Sequence, residues 1–173
     1  MIDYAAARAN MVENQLRPSR IDDPGVLQAS EPRPADVVLV LGDATGYAAA
    51  VLSRLTATVF LLLPTGQPAE PVEALLGELG CDNVVLQSGR ADHGHPSQAP
   101  FDLIVLVGSV AAVPAALVEQ LGEAGRLAAV VENGRSGKVT IVRKVNGAIG
   151  RVTPFDAQIS RLAGVPTEAA FQF

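Results

Sequence analysis

Tryptophan is absent and aromatics make up 4% of the 173 residues, so the apolar content is mostly Ala, Val and Leu. That palette suits helices packed on buried parallel strands better than an aromatic-rich binding groove. Cysteine occurs once, at Cys81, which excludes an internal disulfide and fits a reducing compartment. Excess basic charge is also lacking. A net charge of −5 provides no electrostatic footprint for nucleic acid or an anionic membrane, and reads as a solvated acidic surface. Long apolar runs are missing too, since Val37–Leu41 and Val59–Leu63 are far too short to span a bilayer. Met1-Ile2-Asp3-Tyr4 shows no basic region followed by an apolar stretch, so no secretory leader is expected. The expectation is a soluble, cytoplasmic protein with no membrane and no nucleic-acid partner.

What is present is enough for one ordinary domain. A hydrophobic content of 49% with 18% charge supports a buried core and excludes a disordered chain. Residues Asp3–Leu16 read as a helix with Tyr4, Ala7, Met11 and Val12 on one face, stopped by Arg17-Pro18. Asp23-Pro24 starts a second short helix running to Ala29, and Ser30–Ala35 is a proline-containing linker. Residues 1–30 thus form an N-terminal helical segment ahead of a domain over 36–173.

In that domain strand and helix signals alternate. Strands are predicted at Val37–Leu41, Thr58–Leu63, Asn83–Leu86, Phe101–Val107 and Gly125–Val131. Helices are predicted at Tyr47–Leu55, Pro71–Leu79 and around Pro114–Leu121. This alternation implies a doubly wound, mostly parallel α/β sheet. The pattern then changes. Lys138–Val145 alternates, Asn146-Gly147 is a hairpin turn, and Ile149–Phe155 suits a further strand, so an antiparallel hairpin closes the sheet.

The most informative stretch is Val37 to Tyr47, where a strand runs into a glycine-containing turn and directly into an Ala-rich helix. Such a turn lets a nucleotide-like ligand approach backbone N–H groups at the helix start, although Gly42 and Gly46 also suit a plain tight turn. Further segments accompany it in order. They are Met11-Val12-Glu13-Asn14-Gln15-Leu16-Arg17-Pro18, Asp22-Asp23-Pro24-Gly25-Val26-Leu27-Gln28-Ala29, Pro100-Phe101-Asp102 and Leu121-Gly122-Glu123-Ala124-Gly125-Arg126-Leu127. Together these resemble the bacterial protein-L-isoaspartate O-methyltransferases, especially a divergent branch ending in an aromatic-x-aromatic tail, here Phe171-Gln172-Phe173.

The resemblance covers roughly residues 1–29 and 36–173. It implies a class I methyltransferase (Rossmann-like) fold, S-adenosylmethionine as cofactor, and methylation of isoaspartyl carboxyl groups in damaged protein substrates. Carried over residue by residue, the cofactor turn falls on Gly42, Asp43, Ala44, Gly46 and Tyr47. Four departures follow. Val40 stands at the family's acidic position before the turn, and Ala44 replaces its middle glycine. The second strand ends Leu61-Leu62-Leu63-Pro64, without the carboxylate that holds the cofactor ribose. Losing a charged bidentate contact, with each bond worth roughly 1.5–3 kcal/mol, weakens binding by ~10²-fold or more. Ser30–Ala35 stands where the family has the longer segment carrying its substrate lid; the short Ser30-Glu31-Pro32-Arg33 cannot form one. Finally, Ser88-Gly89-Arg90 replaces a Gly-Asp-Gly whose Asp contacts adenine, with Asp92 close by.

Asp43 is expected to act locally, bonding nearby backbone N–H groups. Asp92, His93 and His95 suggest a small metal site, but with no third imidazole or cysteine nearby a solvated, flexible loop is the preferred reading, and no metal is assigned. Ser109 and Thr45 lack a nucleophile elbow, and Asp102 reads as structural. Cys81 and the Leu55, Leu75, Leu76 and Leu79 set are expected in the core. No catalytic residue is assigned.

The expectation is therefore a catalytically degenerate family member, a pseudoenzyme with weak or absent S-adenosylmethionine binding. The alternative is a non-catalytic binding or assembly module on the same fold; a different nucleotide-binding enzyme lacks any phosphate-binding lysine. Without the lid, the carboxyl edge of the sheet should be bare unless Asp3–Ala29 covers it. The apolar stripe of Asp3–Leu16 is expected to pack in a homodimer.

Overall fold

Aliphatic runs bounded by glycine and proline become the strands of one sheet in the computed structural model, which describes residues 24–134 and 136–165. Five strands are parallel: β1 (Val37–Leu41), β2 (Thr58–Pro64), β3 (Val84–Gly89), β4 (Phe101–Val110) and β5 (Leu121–Asn133). Their order is β3-β2-β1-β4-β5, continued by the antiparallel β6 (Ser136–Val145) and β7 (Ala148–Val152). A two-residue strand, β8 (Asp156–Ala157), pairs with the start of β6. The helices are α1 (Pro24–Ala29), α2 (Tyr47–Ser53), α3 (Glu70–Glu78) and α4 (Ala115–Glu119). This is the mostly parallel class I methyltransferase sheet with antiparallel C-terminal strands that the sequence led one to expect. No described helix is long and apolar enough to cross a membrane.

Both faces of the sheet are covered, which is why β1 and β2 are continuous aliphatic runs. On one face Val38, Val40, Leu61, Leu63, Leu103 and Val105 meet Ala48, Ala49 and Leu52 of α2 and Val72 and Leu76 of α3. On the other, Leu39, Leu41, Ile104, Leu106 and Leu127 pack with Leu117 of α4. The side-chain period of two assigns alternate residues of each run to opposite cores.

Element boundaries moved for identifiable reasons. β4 extends to Val110 because its pairing with β5 resumes past an irregularity between Val105 and Ser109. β5 begins at Leu121, opposite Phe101, so α4 is shorter than predicted. α2 stops at Ser53, where Ser53 Oγ donates to Ala50 O and Thr56 Oγ1 to Leu52 O. β7 ends at Val152, since the chain turns back and Phe155 O accepts from Val139 N. Leu76 and Cys81 are buried, but Leu55 and Leu75 are 46% and 37% exposed, which corrects their expected place in the core. Leu55 follows the end of α2, and Leu75 lies on the outward side of α3. The predicted helix Asp3–Leu16 and the Phe171–Phe173 tail lie outside the described residues.

A buried cation fastens the connection from α1 to β1 at the amino edge of the sheet. Arg126 of β5, 1% exposed, donates to Ser30 O (2.7 Å), Asp102 O (3.2 Å), Glu31 O and the Asp36 carboxylate. Asp102 also accepts from Val37 N at 2.9 Å, tying the starts of β1 and β4 together in the structural role expected of it. The linker 30–36 therefore sits at the edge opposite the glycine turn.

Candidate functional site

β1 leaves the sheet at Leu41, and the chain must reverse within five residues to start α2. Gly42 (φ 83°) and Gly46 (φ 79°) adopt the left-handed conformations that make this possible. Between them Asp43, 1% exposed, turns its carboxylate inward. Its Oδ1 accepts from Gly46 N (2.9 Å), Thr45 N (3.3 Å) and Thr45 Oγ1 (2.9 Å), and its Oδ2 accepts from Ala49 N (3.0 Å). Thr45 Oγ1 in turn accepts from Tyr47 N at 3.3 Å. N–H groups that begin a helix carry partial positive charge and commonly receive an anion. Here the chain's own carboxylate receives several of them.

The open sides of the two glycines are also filled. A Cβ at Gly42 would fall inside the Leu162 side chain and lie 2.7 Å from Val107 O. At Gly46 it would meet Val72 Cγ1 of α3 at 2.8 Å. Ala44 and Thr45 at the tip are exposed, and Ala44 O accepts from Gln67 Nε2 at 3.0 Å. Leu63, near the end of β2, is 2% exposed and points into the α2–α3 core; Pro64 follows it on the surface. Val40, at the position before the turn, is fully buried. The structure thus gathers Gly42, Asp43, Ala44, Gly46 and Tyr47 at the carboxyl end of β1, without a carboxylate at the end of β2.

The loop after β3 carries a local network of ion pairs and hydrogen bonds, with Arg90 and His93 largely exposed. Arg90 grips Asp92 through two bonds of 3.0 and 2.8 Å, and His93 Nδ1 lies 2.9 Å from the same carboxylate. The hydrogen bonds from Arg90 hold the Asp92 carboxyl well below the usual carboxylate range, against the opposing effect of burial. Gln120, 6% exposed, locks the loop from beneath. Its Oε1 accepts from His95 N (2.8 Å), and its Nε2 donates to His93 O (2.7 Å) and Ala116 O (2.9 Å). Among the described residues no group of three or more His, Cys, Asp and Glu gathers to hold a metal.

At the carboxyl ends of β4 and β5, Ser109 Oγ donates to Glu132 Oε1 (3.1 Å), and Arg161 grips the same carboxylate with Nε at 2.8 Å and a second N–H. Arg161 is the main cause of the lowered pKa of Glu132. The three residues wall a cleft of about 250 Å³ that reaches Gly134 and Ser136 beyond β5. Ser109 sits in no nucleophile elbow, and the sequence around Glu132 and Arg161 carries no signal for a site. A lone charge in a strand and another in a loop carry no motif.

A parallel sheet that reverses its order between β1 and β4, with a glycine turn at that crevice, is the ligand-binding layout of open α/β folds. The family model for protein-L-isoaspartate(D-aspartate) O-methyltransferase matches residues 26–155. The chain belongs to this family. It is 38% identical over 119 residues to the protein-L-isoaspartate O-methyltransferase of Pelotomaculum thermopropionicum, covering 69% of this chain and 52% of the relative. With that of Koribacter versatilis it shares 35% over 139 residues, covering 80% and 63%. The chain therefore spans between half and two thirds of these relatives' length. A solved protein-L-isoaspartate O-methyltransferase superposes with a TM-score of 0.71 at 23% identity, covering 80% of this chain and 45% of that one. A Plasmodium falciparum structure described as a putative member of the family, in complex with S-adenosyl-L-homocysteine, gives 0.65 at 19%, covering 81% and 69%. These two likenesses speak to the fold.

Proposed function

We propose that this protein is a catalytically degenerate protein-L-isoaspartate O-methyltransferase, with a weak S-adenosylmethionine site formed around Gly42, Asp43, Ala44, Gly46 and Tyr47. The observation that carries this reading is Leu63. The resemblance puts the ribose-holding carboxylate at the end of β2, and there a leucine is 2% exposed in a hydrocarbon core. Leucine offers no acceptor to a ribose hydroxyl, and Val72 and Leu76 close the same side of Gly46. The residues present do not fit the cofactor as the family holds it, so no methyl-transfer step is derived. Calorimetric titration with S-adenosylmethionine and S-adenosylhomocysteine tests this. Binding weaker than micromolar is expected, and Leu63→Glu with Ala44→Gly should raise affinity if the pocket is otherwise intact. Sub-micromolar binding by the unaltered protein would contradict the proposal.

A second reading, a protein-binding module, is favoured by the last hairpin, where Val145, Ile149 and Val152 are 54%, 45% and 57% exposed and all of β7 is accessible. In this reading the helix expected at Asp3–Leu16 packs in a homodimer. Light scattering should find twice the 17.9 kDa chain mass, reduced to the monomer by Met11→Asp. A monomer unaffected by the substitution would leave the dimer without support.

A further inference from the structure

β7 ends the path of the sheet, and among the described residues no strand pairs with its outer edge. All of its residues are exposed. The edge is nevertheless held firmly. Glu123 accepts from Asn146 N and from Gly147 N (3.4 Å), and Lys144 Nζ donates to Leu121 O at 3.0 Å, so the hairpin is tied to the start of β5. Asn146 (φ 52°) and Gly147 (φ 75°) make the two-residue turn between Val145 and Ala148. Residues that flank such a turn bond to each other, and hydrogen-bonded and non-hydrogen-bonded pairs then alternate along the ladder. Ala148, Gly150 and Val152 therefore direct their N–H and C=O groups to β6, while those of Ile149 and Arg151 point outward.

We propose that the outer edge of β7 binds a second copy of this chain, strand against antiparallel strand, about a two-fold axis at Gly150. The proposal rests on the protein-binding reading of the hairpin given above and names the occupant as this chain itself. The register favours that occupant. Centred on Gly150, the strands set Ile149 of each copy opposite Arg151 of the other, which makes both of these pairs hydrogen-bonded ones and uses the whole of β7. A centre at Arg151 would oppose two like charges directly. A centre at Ile149 would oppose Arg151 to Gly147, whose left-handed conformation belongs to the turn. On one face the register centred on Gly150 also completes an apolar row. Val152 stands beside Ile141, which is 2% exposed in the core next to α1, and Val145 stands beside Ala148. Setting Ala148 of one copy against Val152 of the other joins these pairs and covers Val145 and Val152, the most exposed valines of the hairpin. Gly150 has open space where a Cβ would stand, so no side chain holds the strands apart. Edges this short bury little area, so the expected association is a concentration-dependent equilibrium and not a permanent dimer.

Position 150 provides the test of register. In the proposed pair the two Gly150 residues face each other as a non-hydrogen-bonded pair with Cα atoms about 4.5 Å apart, within the range a disulfide spans. Gly150→Cys should therefore form a disulfide-linked dimer under mild oxidation by copper phenanthroline in air, and reductant should reverse it. Cys81, the native thiol, is buried and should contribute no link. Ala148→Cys, on the same face of the strand, should stay unlinked because it faces Val152 of the other copy. Light scattering of the unaltered protein should find a mass that rises with concentration from 17.9 kDa toward twice that value. Arg151→Pro removes an outward N–H and leaves the bonds to β6 in place, so it should weaken association by about tenfold or more. Absence of linking in Gly150→Cys, or equal linking in Ala148→Cys, would overturn the register. An Arg151→Pro protein that associates as the parent does would overturn the edge as the contact. The same measurements separate this proposal from the reading beneath it. A dimer dissolved by Met11→Asp and unmoved by Arg151→Pro keeps the homodimer, assigns it to the helix and overturns the strand pairing. A monomer at every concentration overturns both.

Discussion

Replacing Arg126 by methionine should lower stability by about 3–5 kcal/mol, a fall in melting temperature of roughly 6–20 °C for a chain of this size. The guanidinium is 1% exposed and Asp36, its ionic partner, is 5% exposed, so the pair has little water to fall back on. Methionine fills much of the volume, which limits the cavity cost and isolates the electrostatic one. What remains is a buried carboxylate that keeps a hydrogen bond from Arg33 N at 2.7 Å, together with carbonyls of Ser30, Glu31 and Asp102 that lose a charged donor. Glu31 adds to the effect. Its φ of 51° is a left-handed conformation that a non-glycine residue adopts at a cost, and Arg126 grips its carbonyl. Combining Arg126→Met with Asp36→Asn should recover part of the loss, because the stranded charge is gone. Thermal unfolding of the three variants decides the matter. A single variant that melts within 2 °C of the parent, about 1 kcal/mol at this size, would show that the cation is dispensable.

Arg126 also shows how far the sequence could be read. Its segment Leu121 to Leu127 pointed to the family, and the strand it opens was predicted, but nothing in the pattern said that an arginine would turn inward. The alternation of strands and helices, the glycine turn and the Asn146-Gly147 hairpin were all legible because each rests on a local rule of period or turn chemistry. Asp43 was legible for the same reason, since its acceptors lie within six residues of its donors. Leu162 was not. It reaches Gly42 across 120 residues of chain, from a segment with no periodicity, and only the paired glycines at 42 and 108 mark its place. Gln120 and the Arg161–Glu132 clasp escaped likewise, each being a long-range partner of backbone or charge. At the carboxyl edge Leu162 lies against Gly42 and Arg161 bridges Ser109, whereas α1 packs beside Ala128 and Val130, and the helix expected at Asp3–Leu16 lies outside the described residues.

Asp43→Ala should cost roughly 2–4 kcal/mol, because the N–H groups of Gly46 and Ala49 are buried and lose their acceptor together. The same substitution removes a negative charge from the start of α2, where the helix field favours one. Water entering by the exposed Ala44 and Thr45 would satisfy part of the turn, which sets the lower end of that range. Asp43→Asn should lie between, since one amide oxygen can still accept from Gly46 or Thr45 but cannot also serve Ala49. The order Asp, Asn, Ala in melting temperature is therefore the signature of a turn that satisfies itself. A residue reserved for a ligand behaves differently, leaving the unliganded protein unmoved while S-adenosylhomocysteine binding changes. Asp43→Ala with an unaltered melting temperature and a weakened titration would return the carboxylate to the ligand and remove the argument that this turn is already filled.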